Sequence, residues 1–273
     1  MRGDLVKDKR STARGMEFSA VLRGRGGMFT GRKAQAPVVL GSAPKLLKRD
    51  FLRLAPDERT PVHHLMEFPG SPFAGILRET CAQLSQSGTR RVWAVTSAVR
   101  AQGSTSMAVC LARTSAAWGR RTLLIDCDLR ARTATLQLAQ EHTAQGFWEV
   151  TRGEAGALAC AQPAFQLGFR LLPLTPPDNL LRDLFSGRGL NAAMEALRRE
   201  FDCIVMDLPP ALGSIDTPML VRHADACLLV AAHAKRKTRQ VRAAAAVLTR
   251  VRSEPPYLLF SMAPRARLGG NPL

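Results

Sequence analysis

Residues 94–112 read AVTSAVRAQGSTSMAVCLA, an apolar segment that leads through a glycine-containing turn into a run of small residues. In the phosphate-binding pattern A/G-x-x-x-x-G-K-S/T, Ala98 takes the first position, Gly103 the sixth and Thr105 the eighth. Ser104 stands where the pattern has the lysine that grips the phosphates of a nucleotide. The stretch therefore predicts a strand, a phosphate-binding turn and a helix, without the usual cation.

The missing lysine changes what such a turn can do. Successive backbone N–H groups and the helix dipole would still point at a bound anion. Lysine adds a full positive charge, so its loss weakens phosphate binding and, more severely, stabilisation of a phosphoryl-transfer transition state. Arg100 is the only cation within the turn, and its planar guanidinium is not equivalent to a compact ammonium. Taken alone, the stretch is equally consistent with a tight turn that binds no ligand.

Acidic residues follow two other apolar segments. LLIDCDLR places Asp126 and Asp128 after one segment, and IVMDLPP places Asp207 after another. Carboxylates at the ends of neighbouring strands can converge on one Mg²⁺, although an aspartate in this position also caps helices. We therefore predict that Thr105, Asp126 and Asp207 are metal ligands.

Apolar segments alternate with helical patterns from about residue 72 onward. The segments are nearly continuous apolar runs, which is typical of strands buried on both faces. The pattern predicts an α/β fold with a mostly parallel, doubly wound sheet and helices on both faces. In such sheets ligands bind beyond the carboxyl ends of the strands, where the turn and the acids fall. The predicted strands are RVWAVTSA (91–98), RTLLIDCD (121–128), FRLLPLT (169–175), DCIVMDLPP (202–210), DACLLVAAHA (225–234) and YLLFSMA (257–263), and the longest predicted helices lie between them.

The chain carries a formal net charge of +17, which favours an anionic partner. Residues 1–60 hold 14 Lys and Arg against 6 Asp and Glu. Because they also lack periodicity, we predict a basic, mostly disordered arm there, followed by one domain over residues 61–273. The basic residues are spread over both parts, which disfavours sequence-specific nucleic-acid binding. No segment resembles a signal peptide or a membrane span, so we predict a cytoplasmic protein.

Four segments carry a resemblance to a known family: FPGSPFAGILRETCAQL (68–84), TSAVRAQGSTS (96–106), LLIDCDLR (123–130) and FDCIVMDLPPALGSIDTPMLVRHADACLLV (201–230). In order and spacing they resemble the bacterial tyrosine kinase (BY-kinase) family, the MinD/ParA-related P-loop proteins of capsule and exopolysaccharide synthesis. The second segment is similar to that family's T-S-A-x-P-G-E-G-K-S-T loop, the third to its second Walker motif, and the fourth to its Walker B strand.

The resemblance implies that the cofactors are ATP and Mg²⁺. Asp126, Asp128 and Asp207 match the family's catalytic acids. The residues implied in nucleotide binding are Ala98, Arg100, Gly103, Ser104, Thr105 and Ser106.

The chain departs from the family at three features. Ser104 replaces the lysine of the loop. The family's E-x-x-R-x-x-R helix motif falls on Gly75, Arg78 and Cys81, so only its first arginine remains. The single tyrosine, Tyr257, lies in an apolar segment, whereas the family's autophosphorylated tail is rich in tyrosine. The resemblance therefore implies a degenerate, pseudokinase-like member with weak or absent hydrolysis.

Three functional hypotheses follow from the resemblance. The first is a protein of capsule or exopolysaccharide synthesis or export, peripheral to the inner membrane, that docks on a membrane chain-length regulator (co-polymerase). The second is an active ATPase or protein-tyrosine kinase in which Arg100 or a cation of a neighbouring subunit replaces the lysine. The third is a MinD/ParA-like positioning or scaffold protein, including the cellulose-synthesis type.

The positive charge of the chain predicts the chemical class of a partner but not its identity. The basic stretch KRKTRQVR (235–242) favours contact with acidic lipid headgroups or an acidic partner segment, or is a solvated helix face. An anionic membrane surface and self-association are both retained as hypotheses, and nucleic acid is less favoured.

Overall fold

The computed structural model describes residues 39–44, 61–85, 91–139, 145–164, 166–175, 188–232 and 238–263. The strands of this part of the chain are β1 (Val39–Pro44), β2 (Val92–Ser97), β3 (Thr122–Asp126), β4 (Gln162–Pro163), β5 (Arg170–Leu172), β6 (Cys203–Asp207), β7 (Ala226–Ala232) and β8 (Tyr257–Ala263). They form one sheet in the order β1-β8-β7-β2-β6-β3-β5-β4, in which β4 is antiparallel to β5 and every other pair is parallel. The predicted α/β fold with a mostly parallel sheet is confirmed.

The helices that cover the sheet are α1 (Pro61–Glu67), α2 (Pro72–Leu84), α3 (Ser104–Ala117), α4 (Thr133–Leu138), α5 (Phe147–Arg152), α6 (Ala157–Cys160), α7 (Arg188–Glu200), α8 (Asp216–Leu220) and α9 (Thr238–Arg252). A 3-10 turn over Val221–His223 follows α8. Among the described residues, no helix has the length and apolarity needed to cross a membrane.

Two apolar cores lie on opposite faces of the sheet. One contains side chains of α2 and α3, such as Leu77 and Leu111, and the other contains side chains of α7 and α9, such as Leu197 and Leu248. Every residue of β2, β3, β6 and β7 is buried, because these strands are covered on both sides. This burial explains why their sequences are continuous apolar runs.

Helix boundaries follow local capping chemistry. The hydroxyl of Ser71 accepts a hydrogen bond from the N–H of Ala74 at 3.3 Å, and Pro72 occupies the first turn, so both residues favour the start of α2 here. Helix α3 begins at Ser104, directly after Gly103.

Strand β1 was not predicted from the sequence. It lies within residues 1–60 and pairs in parallel with β8 at the edge of the sheet, with irregular register. Its sequence VLGSAP is short and contains glycine and proline, which are tolerated at sheet edges but give no strand periodicity. The rest of the predicted arm lies outside the described residues, and the domain boundary at residue 60 stays a prediction.

Candidate functional site

Three neighbouring strands, β2, β6 and β3, bring the turn and the acids to the same edge of the sheet. Asp126 on β3 is the register partner of Asp207 on β6, and Asp207 is also the register partner of Val95 on β2. Beyond β2 the pairing continues, because the N–H of Ala211 donates to the carbonyl of Ser97 at 2.8 Å. The predicted turn and two of the three predicted acids are therefore direct neighbours.

The turn after β2 keeps a backbone shape that suits an anion. Ala101 (φ 61°) and Gly103 (φ 87°) both have left-handed backbone. Left-handed residues at alternate positions rotate consecutive N–H groups toward one side, as in anion-binding nests. The turn is also held from β8, where the hydroxyl of Ser261 donates to the carbonyl of Gln102 at 2.6 Å. The turn thus has a backbone conformation that is compatible with anion binding, although it lacks the lysine.

Ser104 faces another serine of the same turn. Its hydroxyl donates to the hydroxyl of Ser97 at 3.5 Å, so the side chain is directed into the hydrogen bonding of the turn itself. The next residue, Thr105, places its hydroxyl against the carboxylate of Asp207. One of the two first residues of α3 therefore stabilises the turn, and the other faces the acids.

The other residues predicted to bind nucleotide differ in which of their groups a ligand could reach. Ala98 and Ser106 are buried, so only their backbone or a buried hydroxyl is available to a ligand. Arg100 is exposed and lines the cleft beside the turn. The predicted roles of these residues in nucleotide binding stay predictions.

Asp126 is fully buried and its carboxylate is already partly satisfied. One oxygen accepts from the N–H of Thr135 at 2.8 Å, and the other accepts from the N–H of Asp128 at 3.1 Å. Burial raises the pKa of Asp126 to about 6, although these hydrogen bonds act in the opposite direction. Asp128 in turn accepts from the N–H groups of Arg130 and Ala131, both at 3.1 Å, and so shapes the loop after β3.

Asp207 is the least satisfied acid of the site. Its Oδ1 is buried and has no hydrogen-bond partner within the described part of the chain. Burial and the negative charge of Asp126 raise the pKa of Asp207 well above its usual value, and the hydroxyl of Thr105 lowers it in part. A buried carboxylate oxygen without a partner, beside a second carboxylate, is unfavourable unless a cation is shared between them.

The oxygen donors fit a hard divalent cation. Among the described residues, no three His, Cys, Asp or Glu side chains are grouped to hold a metal by themselves. Mg²⁺ commonly takes only one or two carboxylates and completes its shell with hydroxyl, water and phosphate oxygens. Asp207, Asp126 and Thr105 can supply the protein share of such a shell.

A cleft of about 280 Å³ opens beside the turn and the loops after β3 and β6. Its charged and polar lining comprises Arg100, Asp128, Arg130, Ser214 and Asp216. Burial raises the pKa of Asp216, against the hydrogen bond of Ser214 and the charge of Arg130. The cleft therefore presents two guanidinium groups and two carboxylates next to the predicted phosphate-binding turn.

Two charged residues of the cleft were not among the predicted site residues. Arg130 and Asp216 stand within the quoted motifs, but neither was predicted to take part in the site. The signal that identifies Arg130 is its place two residues after Asp128, in the loop that follows a buried strand. Asp216 lies nine residues beyond Asp207, so only the folding of the intervening loop brings it to the cleft.

Comparison with known proteins agrees with this geometry. The model of the AAA domain family matches residues 92–254, which is more than half of the chain. The chain is 28% identical over 141 residues to the tyrosine-protein kinase wzc of Salmonella typhimurium, a match that covers 51% of this chain and 19% of wzc. It is 28% identical over 198 residues to the succinoglycan biosynthesis transport protein ExoP of Rhizobium meliloti, covering 69% of this chain and 25% of ExoP. The chain thus spans only a fifth to a quarter of the length of these relatives.

A solved structure has the same fold. The kinase domain of the Escherichia coli tyrosine kinase ETK superposes with a TM-score of 0.67 at 18% identity, over 87% of this chain and 94% of that domain. The family match, the order of the motifs and the shared fold agree with one another. The chain belongs to the AAA domain family and, within it, to the bacterial tyrosine kinases with a P-loop fold.

Proposed function

We propose that this protein is a nucleotide-responsive regulator of capsule or exopolysaccharide synthesis that binds Mg²⁺–ATP weakly and transfers phosphoryl groups poorly or not at all. The observation that carries the proposal is the combination of a retained anion-binding turn, the neighbouring acids Asp126 and Asp207, and Ser104 in place of the lysine. The name of the relative ExoP supports the link to polysaccharide synthesis.

Each part of the site has a defined task in this proposal. The N–H groups around Gly103 orient the phosphates. Asp207 and Thr105 hold Mg²⁺, whose charge would neutralise the phosphate oxygens when it is bound. Asp126, with a pKa of about 6, can accept a proton from an attacking hydroxyl near neutral pH. Ser104 replaces the lysine that would stabilise the transition state, and losing one such preorganised group typically lowers the rate by about 10²–10³.

Restoring the lysine tests this proposal. We expect Mg²⁺–ATP to raise the melting temperature of the wild-type protein slightly, and the Ser104→Lys variant to bind at least tenfold more tightly and to gain measurable ATP turnover. Ser104→Ala is the matched control, because it removes the hydroxyl without adding charge. Calorimetric titration and release of labelled phosphate would measure both effects. If neither the wild type nor Ser104→Lys responds to Mg²⁺–ATP, nucleotide binding is excluded.

A second candidate is an active ATPase or tyrosine kinase. Arg100 and Arg130 both line the cleft, so two guanidinium groups stand near the predicted phosphate position. In that case the wild type would already turn over ATP, Ser104→Lys would add little, and Arg130→Gln and Asp126→Ala would each abolish the activity. Comparing the same variants in one assay therefore separates the two candidates.

The cellular setting of the proposal is the cytoplasmic side of the inner membrane, with docking on a membrane chain-length regulator. Co-purification of the full chain with such a regulator from detergent extracts would test the docking. A purified regulator that fails to retain the protein in the presence and absence of Mg²⁺–ATP would contradict it.

A further inference from the structure

Helix α9 presents one unusual surface. It buries Val241 and Leu248 against the sheet and exposes Arg239, Arg242 and Arg250. At the helical period of 3.6 residues, positions 239, 242, 246 and 250 fall on the same side of a helix. The three exposed arginines therefore form a stripe along α9, with only small alanine side chains between them.

A neighbouring element carries a fourth exposed arginine. The 3-10 turn over Val221–His223 packs against α9, and its Arg222 is also exposed. Residues 226–253 contain no aspartate or glutamate, and the acids that flank this segment, Asp225 and Glu254, pair with Arg198 and Arg252. We call Arg222, Arg239, Arg242 and Arg250 the arginine face.

The arginines of the stripe lack the protein partners that most other arginines have among the described residues. Arg121, Arg152 and Arg198 each form an ion pair with a nearby acid. Arg252, on the same helix as the stripe, donates to the carbonyl of Asp225 at 2.7 Å. Arg239, Arg242 and Arg250, by contrast, make no hydrogen bond or ion pair with any residue that the structure describes. Their guanidinium groups are therefore available to an external anion.

We propose that the arginine face is a docking surface for an anionic lipid bilayer. Its exposed side chains on α9 are arginine and alanine, so the surface offers charge without an aromatic ring to stack on bases or a large apolar anchor to fill a protein pocket. A bilayer rich in acidic headgroups requires only such charge. The choice of lipid over other polyanions rests on the proposed function, which places the protein at the inner membrane.

The arginine face lies away from the cleft of the candidate nucleotide site. The cleft opens at the carboxyl edge of the sheet, whereas α9 covers one face of the sheet. Contact through α9 would therefore leave the cleft open to solvent and to other proteins.

The expected strength of this contact is modest. Each arginine near an acidic bilayer increases binding about fivefold, so four give several hundredfold, and salt screens the effect. Stable attachment would then need a second contact, such as a membrane protein partner.

Vesicle sedimentation with the purified full chain tests the proposal. Vesicles of phosphatidylcholine with and without phosphatidylglycerol are compared at low and at physiological salt. We expect the wild type to bind only the anionic vesicles, and R239Q/R242Q/R250Q to lose about a hundredfold in partition. The control R23Q/R25Q/R32Q removes the same charge from the amino-terminal region, and we expect it to lose less than tenfold. Thermal unfolding of both variants checks that they fold.

Three outcomes would overturn the proposal: equal binding to neutral and anionic vesicles, unchanged binding of R239Q/R242Q/R250Q, or an equal loss in the control. A variant that loses binding to a DNA duplex but not to vesicles would assign the arginine face to nucleic acid instead. The Mg²⁺–ATP response of R239Q/R242Q/R250Q should match the wild type, so failure of this proposal can be distinguished from failure of the nucleotide proposal.

Discussion

At the scale of single residues, the buried acids Asp126 and Asp207 carry an electrostatic cost. They are register partners, both are buried, and the pKa of each is raised chiefly by burial. A raised pKa means that the folded protein holds protons more tightly than the unfolded chain. Stability contributed by these groups therefore decreases as the pH rises through their raised pKa values, which for Asp126 means from about 4 through about 6.

Removing one of these charges should stabilise the protein. We expect Asp207→Asn to increase the free energy of unfolding at pH 7.5 by about 1–3 kcal/mol, because a neutral amide avoids both desolvation and repulsion by Asp126. The gain should shrink as the pH falls toward 4, where the wild-type carboxyl groups are protonated. Urea denaturation across this pH range measures the difference.

Asp128→Asn is the control for this prediction. Asp128 is only partly buried, and its carboxylate already accepts two backbone N–H groups, so its substitution should give no gain. If Asp207→Asn destabilises the protein at neutral pH, the acids are not under electrostatic strain.

At the scale of one element, the turn after β2 contains a residue with an unfavourable backbone. Ala101 has φ 61°, a left-handed conformation in which its Cβ crowds the backbone. The resembled family has glycine at this position, which carries no such penalty. The left-handed conformation of Ala101 therefore lowers the free energy of unfolding.

Ala101→Gly should relieve this strain. Glycine also costs conformational entropy, so we expect a net gain of up to about 1 kcal/mol in the free energy of unfolding. Chemical denaturation measures it. Ala192→Gly provides a contrast of opposite sign, because Ala192 is exposed in the interior of α7 and its substitution should cost about 1 kcal/mol. Equal losses for both variants would show that the turn does not depend on a left-handed residue 101.

At the scale of the whole molecule, Asp225 ties distant parts of the chain together at the amino-terminal edge of the sheet. Its carboxylate accepts from the N–H groups of Arg91 and Val92, each at 2.8 Å, and from the guanidinium of Arg198 at 2.8 Å. It therefore joins the start of β7 to the start of β2 and to the end of α7. Burial raises the pKa of Asp225, but these hydrogen bonds outweigh it and leave the pKa below its usual value.

Asp225→Ala should destabilise the fold substantially. Losing hydrogen bonds to a partly buried charge should lower the free energy of unfolding by about 2–4 kcal/mol at pH 7. Because the pKa is lowered, this contribution is present above pH about 4 and is lost as the pH falls below that value, so the gap to the wild type should narrow in acid. Thermal unfolding at pH 7 and pH 3 measures the effect.

Asp202→Ala is the matched control at the same edge. Asp202 pairs with Arg121 at 2.9 Å, but both side chains are exposed, so solvent screens the pair and we expect a loss of at most about 1 kcal/mol. A loss as large as that of Asp225→Ala would contradict the assigned importance of burial.

The comparison of sequence with structure is clearest at particular residues. Ser71 and Pro72 at the start of α2, and the double proline just after β6, are signals that can be read from the sequence, because capping and strand termination are local properties. Strand β1 was not predicted, because VLGSAP becomes a strand only by pairing with β8, more than 200 residues away in the chain.

The sequence by itself determined the type of nearly every long element, the turn without its lysine, and the placement of acids at strand ends, because these depend on side chains close together in the chain. Only the tertiary structure decided that Asp207 has a buried oxygen with no partner among the described residues, and that Arg100, Arg130 and Asp216 share a cleft. It also decided that the turn carrying the exposed Arg222 packs against α9. These features depend on strand order and loop path, which bring together residues that no local pattern relates.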